Sequence, residues 1–172
     1  MKHNRQSIRL KGYNYAQAGL YFITICTYAR EHLFGEVVNK KMVLNDAGEV
    51  AAKCWREIPV HFPIAILHEY VIMPDHVHGI IELQPVFAGA NHNSPIHKKV
   101  FRSPSQSIGS IIRGFKIGVT KWFRYESGFP TDTKVWHRNY YDRIIRNEAA
   151  YDRIANYIVN NPAKWSEKPP FK

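Results

Sequence analysis

Residues 20–27, LYFITICT, are dense in β-branched and aromatic side chains and predict a central strand. Residues 33–38 and 41–44 then predict a hairpin turning at Asn39-Lys40. Beyond Asn45, the apolar residues Ala47, Val50, Ala51, Cys54, Trp55 and Ile58 recur three and four apart, the spacing of an amphipathic helix, with Pro59 as its stop. Two more strands are predicted over 64–73 and 77–83, followed by an irregular stretch rich in Pro, Gly, Asn and Ser over 84–107. Ser107 is placed to cap a second helix. Its apolar face is Ile108, Ile111, Ile112, Phe115, Val119, Trp122 and Phe123, with Arg113, Lys116, Lys121 and Arg124 on the remainder. After a short extended stretch in 135–146, a third helix is predicted from about 148 to 160, stopped by Pro162. The pattern predicts a single α+β domain over 1–172, an antiparallel sheet of about five strands with helices packed against it. A basic arm (1–18) and the long loop (84–107) complete the expected organisation.

Charge narrows the partners. Lys and Arg number 24 against 14 Asp and Glu, a formal charge of +10, and 13% of residues are aromatic. A cationic, aromatic-rich surface suits a polyanion whose unpaired bases stack on rings while its phosphates meet cations, so nucleic acid is the expected partner. Arg138, Arg143 and Arg146 alternate with Tyr140 and Tyr141 in the extended stretch and suit a phosphate-tracking groove, which Arg113 and Lys116 of the second helix could join. A solvated helix face and a charged edge strand would look the same. No apolar stretch approaches the length of a membrane span, and Cys26 and Cys54, the two cysteines, sit at positions that read as small core residues. The expectation is a cytoplasmic, nucleoid-associated protein with no membrane partner.

Chemistry concentrates in YVIMPDHVHGIIEL, residues 70–83. His76 and His78 are two apart in a predicted strand, so both imidazoles leave the same face while Val77 turns to the core. Two imidazoles on a rigid strand can share a divalent cation; they could also be plain polar residues at a strand end. The third helix ends NYIVNNP, where Tyr157 and Asn161, four apart, share one face. A tyrosyl hydroxyl, with an ordinary pKa of about 10, is a poor nucleophile, yet it can attack a phosphodiester polarised by a metal. Two neutral imidazoles and the Asn161 amide oxygen would suit Mg²⁺ or Mn²⁺, and zinc would bind them too. Alternatively, Tyr157 belongs to a packing stripe with Tyr151, Ile154 and Ile158.

These residues together resemble the HUH endonucleases, and in particular the REP-associated tyrosine transposases. The resemblance spans nearly the whole chain, through GLYFITICTY, YVIMPDHVHGII, SIGSIIRGFK, VWHRNYYDRIIRNE and YIVNNP. It implies a ferredoxin-like core and metal-dependent cleavage of single-stranded DNA beside a hairpin, through a covalent 5′-phosphotyrosine. Position by position it implies His76 and His78 as metal ligands, Tyr157 as nucleophile and Asn161 as third ligand, with Asn160 a competing amide. Gly19-Leu20-Tyr21 departs from the Gly-Thr-aromatic often found in the family. Related transposases complete the site within one chain or with the tyrosine helix of a second copy, so a homodimer is among the implied partners. A different class is a module on the same fold that binds or regulates DNA hairpins without cutting. A zinc hydrolase would need a further ligand, and Asp75 and His68 are the nearby offers.

Overall fold

A computed structural model describes residues 17–85 and 107–165 of the 172-residue chain. Most of the predicted arm and loop lies outside them. Strand β1, Gly19–Cys26, alternates strictly: Tyr21, Ile23 and Ile25 are fully buried on one face, while Leu20, Phe22 and Thr24 take the other. Next come β2 (Gly35–Val38), β3 (Lys41–Leu44), α1 (Asp46–Arg56) and α2 (Ile58–His61). The chain continues through β4 (Ala65–Met73), β5 (His76–Leu83), α3 (Ile108–Tyr125), β6 (Tyr141–Ile145) and α4 (Glu148–Val159).

The sheet is antiparallel with order β4-β5-β1-β6, so β5 and β1 are its central strands. It has four strands rather than five, because β2 and β3 pair with each other in a separate two-stranded sheet. Asn39 and Lys40, both at positive φ, turn that hairpin, and the edge of β1 away from β5 is filled by β6. β6 begins at Tyr141, so the extended stretch predicted over 135–146 pairs over less than half its length, with an isolated bridge from Trp136 to Thr27 before it.

Local chemistry accounts for the helix ends. Asn45 accepts from the Gly48 amide at 3.0 Å, and Asp46 and Glu49 in the first turn with Lys53 and Arg56 in the last oppose the helix dipole. Ser107 and Asn147 cap α3 and α4 in the same way, accepting from Ser110 and Ala150. Pro59 does not act as a stop. It occupies the first turn of α2, where its missing N–H costs nothing, and α1 ends three residues earlier.

The two faces of the sheet are unequal. Tyr21, Ile23, Ile25, Val77, Ile81 and Leu83 pack with Ala51 and Trp55 of α1 and Ile111, Phe115, Val119 and Phe123 of α3. On the opposite face Ile80, Ile145 and Ile158 form a small cluster with Phe22, Val71 and Ile154, which seats α4. Covered on both sides, β5 is buried at every position except Glu82, its two histidines included. Cys54 is half-buried and packs against the α1–α3 core as a small residue, whereas Cys26, also half-buried, lies outside both clusters. No helix among the described residues is long and apolar enough to cross a membrane.

Candidate functional site

The even-numbered positions of β5 leave the sheet on the α4 face, and His76 and His78 lead that row. Their rings stand 4.4 Å apart between centroids, and they are only 5% and 6% exposed. Each ring is fixed by an oxygen at Nδ1. Thr24, directly across in β1, places Oγ1 2.8 Å from Nδ1 of His78, and Asp75 places Oδ1 2.5 Å from Nδ1 of His76. With Nδ1 held, the Nε2 atom of each imidazole is the one left to face a ligand or substrate. Burial, with His76 alongside, pushes the His78 pKa down to about 3, so its imidazole is neutral at physiological pH. Burial alone would raise the Asp75 carboxyl. The His76 hydrogen bond, aided by the His76 and Arg30 charges, outweighs it and holds the carboxyl below its ordinary value.

The tyrosine of α4 arrives over this pair. Its hydroxyl lies 3.2 Å from Nε2 of His78, a contact between residues 79 apart in sequence and made within one chain. Phe22 shapes the approach, stacked on His78 at 5.3 Å and edge-on to Tyr157 at 6.3 Å. Tyr157 is 45% exposed, so the packing-stripe reading does not describe it; Ile158 beside it is the fully buried residue of α4. Past α4 the chain runs through Asn161 to Trp165, whose ring lies 5.8 Å from that of His76. Tyr157 and Trp165 thus touch the two histidines from either side, in sequence, of Asn161, which is buried at 8% exposure and whose backbone N–H donates to the Ile158 carbonyl at 3.2 Å. Asn160, by contrast, is exposed and donates its side chain to the Asn156 carbonyl.

The two imidazoles, with Nδ1 of each turned to an oxygen and Nε2 of His78 facing the Tyr157 hydroxyl, are donors of a kind that could share a divalent cation whose remaining positions are filled by ligand oxygens. Among the described residues no group of three or more His, Cys, Asp and Glu side chains gathers to hold a metal without such help. His68 is committed elsewhere, between Tyr151 and Glu82, and Asp75 is turned onto His76 and Arg30.

The five basic residues expected in one groove are divided between two. Arg113, Lys116 and Arg138 line a cleft of about 620 Å³ along α3, with Lys121, Arg124, Tyr125 and Tyr140. Lys116 is only half available there, since its ammonium donates to the carbonyls of His137 and Asn139 at 2.9 and 3.1 Å, and burial lowers its pKa to about 8. Arg143 and Arg146 instead line a cleft of about 430 Å³ with Arg153 and Asn147. Register puts Arg143 and Tyr141 opposite Phe22 and Thr24, on the same face as His78. Sequence reasoning passed over Thr24, Arg30 and Arg153, although a threonine interrupting an apolar strand was a visible signal.

An uncharacterized protein of Haemophilus influenzae is 48% identical over 169 residues, spanning 96% of this chain and 92% of its own length. The chain belongs to the family of that protein. No family model matches this member of it. A solved REP-associated tyrosine transposase bound to a REP hairpin superposes with a TM-score of 0.60, over 91% of this family member and 74% of the transposase, at 18% identity. At that identity the shared property is the fold: an antiparallel sheet with helices packed on it.

Proposed function

We propose that this protein is a single-stranded DNA endonuclease and strand-transferase of the single-tyrosine HUH type, acting beside DNA hairpins. The observation that carries the reading is the meeting of the Tyr157 hydroxyl with Nε2 of His78 at 3.2 Å across 79 residues of sequence, with the His76 ring 4.4 Å from that of His78. The shared fold with a hairpin-bound transposase supports it, as does a formal charge of +10.

In this reading His76, His78 and Asn161 would hold Mg²⁺ or Mn²⁺, which would draw charge from the scissile phosphate and so ease attack upon it. The chain's own groups do the rest. Thr24 and Asp75 keep the imidazoles oriented, and the neutral state of His78 leaves it a lone pair to offer. Tyr157, held by α4 with its ring edge on Phe22, attacks phosphorus in line. The Oη–P bond forms as the P–O3′ bond breaks; the phenolic proton passes to solvent and the departing 3′ oxygen takes one up. The phosphotyrosine conserves the bond energy, so the 3′ hydroxyl can reverse the step without a nucleotide cofactor. Arg143, Arg146 and Arg153 guide DNA on the tyrosine face, and Arg113, Arg138 and Lys116 contact phosphate in the α3 cleft.

The test is incubation of a labelled single-stranded hairpin with Mn²⁺ and resolution of the products under denaturing conditions. The expected result is a covalent protein–DNA adduct that is lost with chelator and in Tyr157→Phe, whose exposed hydroxyl carries no part of the core. No adduct from the wild type, or an adduct from Tyr157→Phe, would overturn the reading; chelator-indifferent binding without cleavage would establish the non-cutting hairpin module instead.

A further inference from the structure

The corner after β1 contains an unusual pair of backbone conformations. Ala29 and Arg30 both lie in the left-handed region, at φ 50° and 60°, although neither is glycine. Side-chain crowding makes this conformation costly for two consecutive L-residues, and it persists where the surroundings enforce it. Both residues are exposed, so core packing does not demand it. What enforces it is a set of bonds tying this corner to the turn before His76. Thr27, 1% exposed, donates from its backbone N–H to the Asp75 carbonyl at 2.9 Å and from its hydroxyl at 3.0 Å, and Phe34 donates to the Pro74 carbonyl at 3.2 Å.

The result of the fold-back is specific. The guanidinium of Arg30 lies with Nε 3.1 Å from Oδ2 of Asp75, while Nη1 donates to Sγ of Cys26 at 3.0 Å. The other oxygen of the same carboxylate is the one on Nδ1 of His76. Arg30, Asp75 and His76 therefore form a continuous chain of contacts, and the planar fork of an arginine, gripped on two edges, fixes the carboxylate's rotation in a way a lysine's point charge cannot.

We propose that Arg30 is a positioning residue for His76, acting through Asp75 to aim its Nε2 atom at the bound cation. The proposal rests on the metal-site reading above and adds to it an exposed residue far from Tyr157 in sequence, whose guanidinium is turned to Asp75 and Cys26. Partners that orient a ligating imidazole typically contribute 10–100-fold to metal affinity.

The experiment is a Mn²⁺ titration of the full chain without DNA, followed by electron paramagnetic resonance, on wild type, Arg30→Ala, Arg30→Lys, Asp75→Asn, the Arg30→Ala/Asp75→Asn double variant and His76→Ala, with melting temperature measured for each. The expected result is a wild-type site lost in His76→Ala, weakened about tenfold in Arg30→Ala at unchanged melting temperature and partly recovered in Arg30→Lys. Arg30→Ala should add nothing to Asp75→Asn, because the arginine acts through that carboxylate. A wild-type site that Arg30→Ala binds equally tightly, or a full tenfold loss on adding Arg30→Ala to Asp75→Asn, would overturn the proposal alone. Absence of any wild-type site dependent on His76 would overturn the metal-site reading with it.

Discussion

Gly79 sits between His78 and Ile80 in β5, opposite Ile23 of β1 and Tyr70 of β4, and it tests whether core and site share one strand as described. A Cβ added there would meet Cζ2 of Trp55 at 2.3 Å, Cη2 at 2.9 Å and Cε2 at 3.0 Å. Carbon atoms rest at about 3.5–4.0 Å, so the indole would have to retreat by over an ångström. It has nowhere to go: Trp55 is fully buried, stacked on Tyr70 at 5.9 Å and edge-on to Phe115 at 5.3 Å. Overpacking of this kind costs about 1–3 kcal/mol, and the boxed ring puts Gly79→Ala toward the top of that range. Relief of glycine's chain entropy returns about 0.5–1 kcal/mol, leaving a net loss of roughly 2 kcal/mol. For a chain of this length that lowers the melting temperature by about 4–8 °C, read by calorimetry or circular dichroism. Trp55→Phe in the same background should recover part of the loss, a coupling of about 1 kcal/mol or more. A melting temperature within a degree of wild type, or strictly additive effects of the two substitutions, would refute the reasoning.

The Tyr151 hydroxyl donates to Glu69 at 2.7 Å and lies 3.2 Å from His68, and the Glu69 bond pushes its pKa up to about 12; Tyr151→Phe should cost about 1 kcal/mol at pH 7 and speed amide exchange in α4. Because that same bond holds the Glu69 carboxyl below its ordinary value, its stabilisation is present above the unfolded pKa and fades as pH falls through the folded one, so melts at pH 7 and pH 3 should show the variant's deficit shrinking in acid. Burial lowers Lys116 to about 8 against an ordinary value near 10.5, so between those pH values the unfolded chain binds more protons and stability should rise with pH; Lys116→Met, melted at pH 7 and pH 9.5, should lose that rise.

Periodicity made most of the fold legible. The β-branched and aromatic density of 20–27 and the three-and-four spacing of Ala47, Ala51 and Trp55 are local properties, and so are the caps at Asn45 and Ser107. The i, i+2 placement of His76 and His78 on one face is also fixed by strand geometry. What was not legible depends on long-range register. Thr24 reaches His78 across 54 residues of sequence because β1 and β5 pair with those two directly opposite, and nothing local selects that alignment. The division of the basic residues follows from β6 being an edge strand beside α4 while Arg138 precedes it, a boundary that composition does not mark. The Ala29-Arg30 corner carries no glycine or Asn-Gly signal, so its left-handed turn was invisible.

The inequality of the two faces has a mechanical consequence. On the α1 and α3 side a large apolar cluster makes β1 and β5 the rigid floor of the molecule, and both central strands are paired along each edge, so the histidines cannot slide relative to Thr24. On the other side α4 rests on a cluster in which Ile80, Ile145 and Ile158 are the buried members, supplemented by the Tyr151 bonds to β4. Few buried contacts and solvent-accessible polar ties define the end of the stability range from which moving elements are drawn. Tyr157 therefore rides on the weakly seated element while its partner imidazoles belong to the strongly seated one. Loss of Tyr151 and loss of Gly79 should accordingly separate: the first loosens α4 over an intact sheet, whereas the second disturbs the sheet on which both faces depend.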